Sequence, residues 1–196
     1  MIQDSGNRRQ FESGAVRDMA EGKGRCDLLP LEVVNELYVA FKKCDGKRPE
    51  DEGLSIFANL GQYIELGDVK YLYYAILEFC NDIVHWDFST TVLEVSKQYE
   101  EGCQKYGDRN WEKGIPLHCY IDSGTRHLLK FLRGDIDERH DRAFVWNIFG
   151  AIWTAKHKPD CIDLPFNETT KNPVEEFGRT AYKFGEKKQS GIPLRE

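Results

Sequence analysis

The run ERHDRAFVWNIFGAIWTAKH, residues 138–157, constrains this chain more than any other segment. Past its first polar residues it is apolar almost all the way round a helical wheel, and such a helix has no face to give to water. It has to be central, so the chain must supply amphipathic helices to enclose it. In VKYLYYAILEFCNDIV, Leu72, Ala75, Ile76, Phe79, Cys80 and Ile83 recur at i, i+3, i+4 spacing, which predicts one continuous helix. LEVVNELYVAFKK puts Val33, Leu37, Ala40 and Phe41 on one face, and Pro30 suits the start of that helix. A short helical piece is expected around Leu54–Leu60. TVLEVSKQYEEGCQKYG is expected to run from a cap at Ser89 or Thr90 to a stop near Gly107. GTRHLLKFLR should be capped by Asp122 or Ser123 and closed by Gly134, with Asp137 capping the central helix.

The fold expected is mainly α: a helical bundle-like domain with long irregular loops and no convincing strand. Residues 1–30 read as an irregular N-terminal arm, 31–157 as the helical domain and 158–196 as an irregular C-terminal tail. At 196 residues and 40% hydrophobic content, one domain has ample material for a core. A net charge of −6 argues against a protein that coats a nucleic-acid polymer. No apolar run approaches the length of a membrane span. The polar start MIQDSGNRRQ has no signal-peptide core, and six cysteines without a CxxC pair or zinc-finger spacing suit a reducing compartment, so a cytoplasmic protein is expected.

Three constellations carry chemistry. Placed on one helix, Glu138 and Asp141 lie i, i+3 on the side of Val145, Ile148 and Ile152. Such a pair either favours the helix start electrostatically from solvent or holds a hard cation such as Mg²⁺. Glu94 and Glu101 share a face of the preceding helix, and Glu78 with Asp82 forms another acidic pair, so the partner acids of a metal site stay open. The dipeptide His140–Asp141, with His118 and His127 upstream, offers the pattern of an HD-type phosphohydrolase, although a separation of 13 positions from His127 to His140 is short for that fold. Finally, CQKYGDRNWEKGIP crowds Lys105, Arg109 and Lys113 into a turn-rich stretch, followed by Arg126. These cations suit phosphate oxygens, with Tyr106 or Trp111 to stack on a base and Asn110 to read its edge. The plain alternative is a solvated loop with Trp111 tucked into the core and Arg109 paired to Glu112.

Taken together, GKGRCDLLP, EVSKQYEEGCQKYGDRNWEKGIP and RHLLKFLRGDIDERHDRAFVWN resemble a family of phage and bacterial dATP/dGTP diphosphohydrolases of the MazZ type, akin in chemistry to MazG-like nucleotide pyrophosphohydrolases. The matching positions are Gly22–Arg25, Asp27–Pro30, Glu94–Val95, Gly102, Lys105–Gly107, Asn110–Trp111, Gly114, Arg126–Leu128, Gly134, Glu138, His140 and Trp146–Asn147. Cys103 departs from the usual alanine, and residues 42–86 look like an insertion.

The resemblance implies metal-dependent hydrolysis of a nucleoside triphosphate, expected to be a purine dNTP, to the monophosphate and pyrophosphate. It implies Mg²⁺, or Mn²⁺ or Co²⁺, held by Glu94, Glu138 and Asp141, with His140 and Glu138 handling the water. Lys23, Arg25, Lys105, Tyr106, Arg109, Asn110, Trp111, Lys113, Arg126, His127 and Asn147 are the expected substrate contacts. A homo-oligomer in the bacterial cytoplasm, or in the host cytoplasm if phage-encoded, is expected. Two other readings stay open: a non-catalytic nucleotide-binding or protein-interaction protein, and an HD-type enzyme releasing triphosphate.

Overall fold

The computed structural model describes residues 6, 8–19, 21–43 and 55–166. Among these the chain is mainly α, as the patterning requires. Six α-helices succeed one another: α1 (Leu31–Lys43), α2 (Ile56–Leu66), α3 (Lys70–Glu78), α4 (Phe88–Tyr106), α5 (Leu117–Arg133) and α6 (His140–His157). The arm adds one small antiparallel hairpin, β1 (Arg8–Gln10) with β2 (Val16–Asp18), closed by the Phe11 amide donating to Ala15 O at 2.9 Å. Its residues are mostly exposed, so no apolar alternation announced it.

α6 is the axis of the molecule. Phe144, Val145, Ile148, Phe149, Ala151 and Ile152 are all fully enclosed, and α1, α3, α4 and α5 pack around them. Phe144 and Phe131 meet the ring of Phe79 edge-on, and Trp111 does the same to Trp153. Gly150 is where α5 comes closest: a Cβ there would lie 2.3 Å from the Tyr120 ring.

Helix boundaries differ from the sequence expectation where local capping chemistry competes with periodicity. α4 starts less than one turn before Thr90, because the Asp87 carboxylate accepts the Thr90 amide at 2.7 Å. α5 starts at Leu117, directly after Pro116, rather than at Asp122 or Ser123, since proline has no amide to satisfy at a helix start. The stretch 70–84 is not one α-helix. α3 passes at Phe79 into a wide π turn, Phe79–Val84, that aims both Phe79 and Cys80 inward. α6 begins at His140, not at Glu138, and this displacement separates the two acids expected to share its face.

The described part of the tail is packed rather than trailing. The Phe166 ring stacks edge-on against Tyr63 of α2, and Asp163 accepts the His118 amide at 3.0 Å.

This packing has two measurable consequences. Gly150→Ala should destabilise the fold by about 1–3 kcal/mol, read from a denaturant melt, because the buried Tyr120 ring has to move. The Cys80 thiol, pushed up to about 12 by burial, should stay unmodified by an alkylating reagent at pH 8 while exposed Cys26 reacts, as peptide mass mapping would show.

Candidate functional site

The arm motif Gly22–Lys23–Gly24–Arg25 is docked on α4, and one carboxylate explains the docking. Glu100, buried on α4, accepts the amides of Gly22 at 2.9 Å and Gly24 at 2.8 Å, while the Arg25 amide donates to Ser96 O at 3.0 Å. Gly24 has φ +86°, and a Cβ there would fall 2.0 Å from Ser96 Oγ, so the second glycine of GKG permits a close backbone approach. Glu100 was not singled out in the sequence, where it reads as one more acid on a charged helix.

From this anchor the arm and the Asp108–Gly114 turn are stitched together. Arg25 forks onto Asp27 at 2.7 and 2.8 Å and reaches Asp108 at 3.5 Å, which raises its pKa. Arg109, itself in a left-handed conformation, donates to Asp27 O at 2.7 Å and pairs with Glu112. The Cys103 thiol donates to Asp108 at 2.7 Å. Trp111 is buried against Trp153 and Tyr99, whereas Tyr106 is 67% exposed. Of the two rings expected to stack on a base, only Tyr106 therefore presents a free face. Asn110 is half-buried at the same turn. A small apolar slot of about 40 Å³ lies beneath it, between Leu28, Tyr99, Tyr106, Trp111 and Trp146. Lys23, Lys105 and Lys113 are exposed and make no ion pair among the described residues. Arg126 pairs with Asp122 on the outside of α5, and Asn147 is buried with its amide on Ala143 O of its own helix.

The acids divide into two groups, because Glu138 lies in the loop before α6 and Asp141 in its first turn. In the first group, α4 and α6 face each other across arginines. Arg139 Nη2 stands 2.7 Å from Asp141 Oδ2 and 3.3 Å from Glu94 Oε2, and Arg142 pairs with Glu101. Glu94 is mostly covered, with Lys97 on its other oxygen. Asp141 also accepts the Arg142 amide at 2.8 Å.

In the second group, Glu138 turns away from Glu94 and Asp141 toward two histidines. Its Oε1 is 3.2 Å from His127 Nδ1 and 3.5 Å from His140 Nδ1, and the two Nδ1 atoms are 2.9 Å apart. His140 has no exposed side-chain surface, and its Nε2 donates to Asp137 Oδ1 at 2.8 Å. Asp137 is held far below the usual carboxylate range by Lys130 and then His140. Burial lowers the His127 pKa, with Glu138 opposing and His140 adding to the shift. Asp137 was expected as the cap of α6, but Arg139 holds that position and Asp137 instead accepts from His140 and Lys130; the arginines 139 and 142 were not singled out in the sequence, where they read as ordinary surface charge.

Both groups open on one cleft of about 490 Å³, lined by Glu101, Phe131 and the whole segment from Asp135 to Arg142. Residues 80–163 match the model of the family described as dATP/dGTP diphosphohydrolase, N-terminal. No curated protein and no solved structure matches the chain. No helix among the described residues is long and apolar enough to cross a membrane.

Glu100→Gln or Glu100→Ala should release the arm. The expected cost is about 1–3 kcal/mol for the unsatisfied amides, with faster hydrogen exchange at Gly22 and Gly24 in an otherwise protected helical core.

Proposed function

We propose that this protein hydrolyses a purine deoxynucleoside triphosphate to the monophosphate and pyrophosphate, assisted by a divalent cation. The observation that carries this reading is the extent of the family match. It spans both acid-bearing walls of the cleft, α4 and the start of α6, and the lysine-bearing turn between α4 and α5. In the reaction a water oxygen bonds to the α-phosphorus, the bond from that phosphorus to the bridging oxygen breaks, and pyrophosphate leaves with the electron pair.

The chain supplies the charge and the positioning. Lys105 lies one helical turn beyond Glu101 on α4 and, with Lys23 and Lys113, is uncommitted positive charge for the triphosphate. Arg25, Arg109 and Asn110 shape the turn that offers Tyr106 to a base. Glu138, 46% exposed at the cleft, is the member of its cluster that meets water, and the buried His140 holds that cluster in place. Glu94 and Asp141 are hard oxygen donors and suit Mg²⁺ or Mn²⁺ chemically. Their present counter-charge is Arg139, which is 52% exposed and is the side chain that must swing out for such an ion to enter. A divalent ion bound there would neutralise phosphate charge and polarise the phosphorus centre. Assembly into a homo-oligomer belongs to the same reading.

The arginines that neutralise Glu94, Asp141 and Glu101 favour one rival, a protein that binds the nucleotide without turning it over. Purified protein incubated with each dNTP and Mg²⁺ or Mn²⁺ separates the readings. Pyrophosphate with dAMP or dGMP is expected. Triphosphate release would replace the mechanism with the HD-type reaction, and tight binding without products would leave the rival standing. Asp141→Asn should lower kcat/KM at least a hundredfold, about 2.7 kcal/mol of lost transition-state stabilisation.

A further inference from the structure

The histidine pair poses a proton problem that its surroundings do not solve. His140 Nε2 donates to Asp137 Oδ1 at 2.8 Å, so the neutral ring presents a lone pair at Nδ1. That lone pair faces His127 Nδ1 at 2.9 Å and Glu138 Oε1 at 3.5 Å. A single hydrogen on His127 Nδ1 can satisfy one of these acceptors and leaves the other pointing at it. With the hydrogen on His127 Nε2 instead, three lone-pair donors converge on one point, one of them on a ring with no exposed side-chain surface.

We propose that His127, Glu138 and His140 form a binding site for a first-row transition ion of the Zn²⁺ class. The atoms Nδ1, Oε1 and Nδ1 form a triangle with edges of 2.9, 3.2 and 3.5 Å. Ligands about 2.0 Å from a tetrahedral ion stand roughly 3.3 Å apart, so the triangle is already the size of one face of such a site. Two imidazoles and one carboxylate are a borderline donor set, suited to Zn²⁺, Co²⁺ or Mn²⁺ rather than to the all-oxygen demand of Mg²⁺. The second layer is also built: Asp137 fixes the tautomer of His140, and Lys130 holds Asp137 at 2.8 Å. The ligands come from α5 (His127), the loop before α6 (Glu138) and the first residue of α6 (His140), so the ion would cross-link the two most closely packed helices at the cleft. Its fourth position, on the side of half-exposed Glu138, opens to the cleft.

This site is separate from the Glu94–Arg139–Asp141 group, and its binding does not depend on the hydrolysis reading. If both hold, the ion is what lets Glu138 and His140 handle the water.

Full-length protein stripped with a chelator and titrated with Co²⁺ provides the test. One equivalent should bind with the visible bands of a four-coordinate ion, be displaced by Zn²⁺, and raise Tm. His127→Gln and Glu138→Gln should each lose the bands and weaken binding at least tenfold, and Asp137→Asn should weaken it by about 10–100-fold while the donor set stays intact. Glu94→Gln and Asp141→Asn should keep the four-coordinate bands, whatever they do to a hard ion at the separate oxygen site. Circular dichroism melts of each stripped variant verify that the fold is present. No bands in the wild type, or bands unchanged in His127→Gln and Glu138→Gln, would overturn the proposal. Co²⁺ bands together with absent dNTP turnover would sink only the hydrolysis reading.

Discussion

A helix with no polar face must be walled in, and enclosing α6 sets the position of nearly everything else. α5 lies along one side, α4 and α3 along others, and α1 completes the wall. At about 25 cal/mol per Å², burying so many large side chains on one helix is the dominant favourable contribution to this fold. Its geometric effect is to bring the start of α6, the end of α5 and the middle of α4 to a common edge. There the apolar pattern stops and the charged residues begin.

At that edge the charge is distributed by pairing rather than left as a simple acidic hole. Arginines from the α6 start answer the acids of α4, while the histidines of α5 and α6 take Glu138. The division depends on one backbone detail. Residues Asp137 and Glu138 form a bend before the helix, so two acids that a wheel would align are aimed at different neighbours. Arg139 stands between them as the last non-helical residue.

Most of the helices were legible because periodic burial leaves a strong trace, and α1 and α6 in particular keep closely to their apolar residues. What periodicity cannot reveal is where a cap or a proline starts a helix early, by less than a turn at Asp87 and by nearly two turns at Pro116, or where a helix widens, as at Phe79. The site was legible in part. The cluster of Lys105, Tyr106, Arg109 and Trp111 stood out by composition, yet two of its members are structural: Trp111 fills the core and Arg109 ties the turn to the arm. The roles of Glu100 and Asp137 were invisible for a physical reason. Each works by accepting bonds from residues distant in sequence or across a bend, and neither leaves a local pattern.

The π turn at Phe79–Val84 has a consequence for the direction in which neighbouring side chains face. A wide turn holds one residue more than an α-helix would use there, so it rotates α3 by about 100° relative to the chain beyond the turn. The turn therefore works as a swivel: the added residue shifts the phase of the chain, so that Phe79 and Cys80, consecutive in sequence, both reach the core.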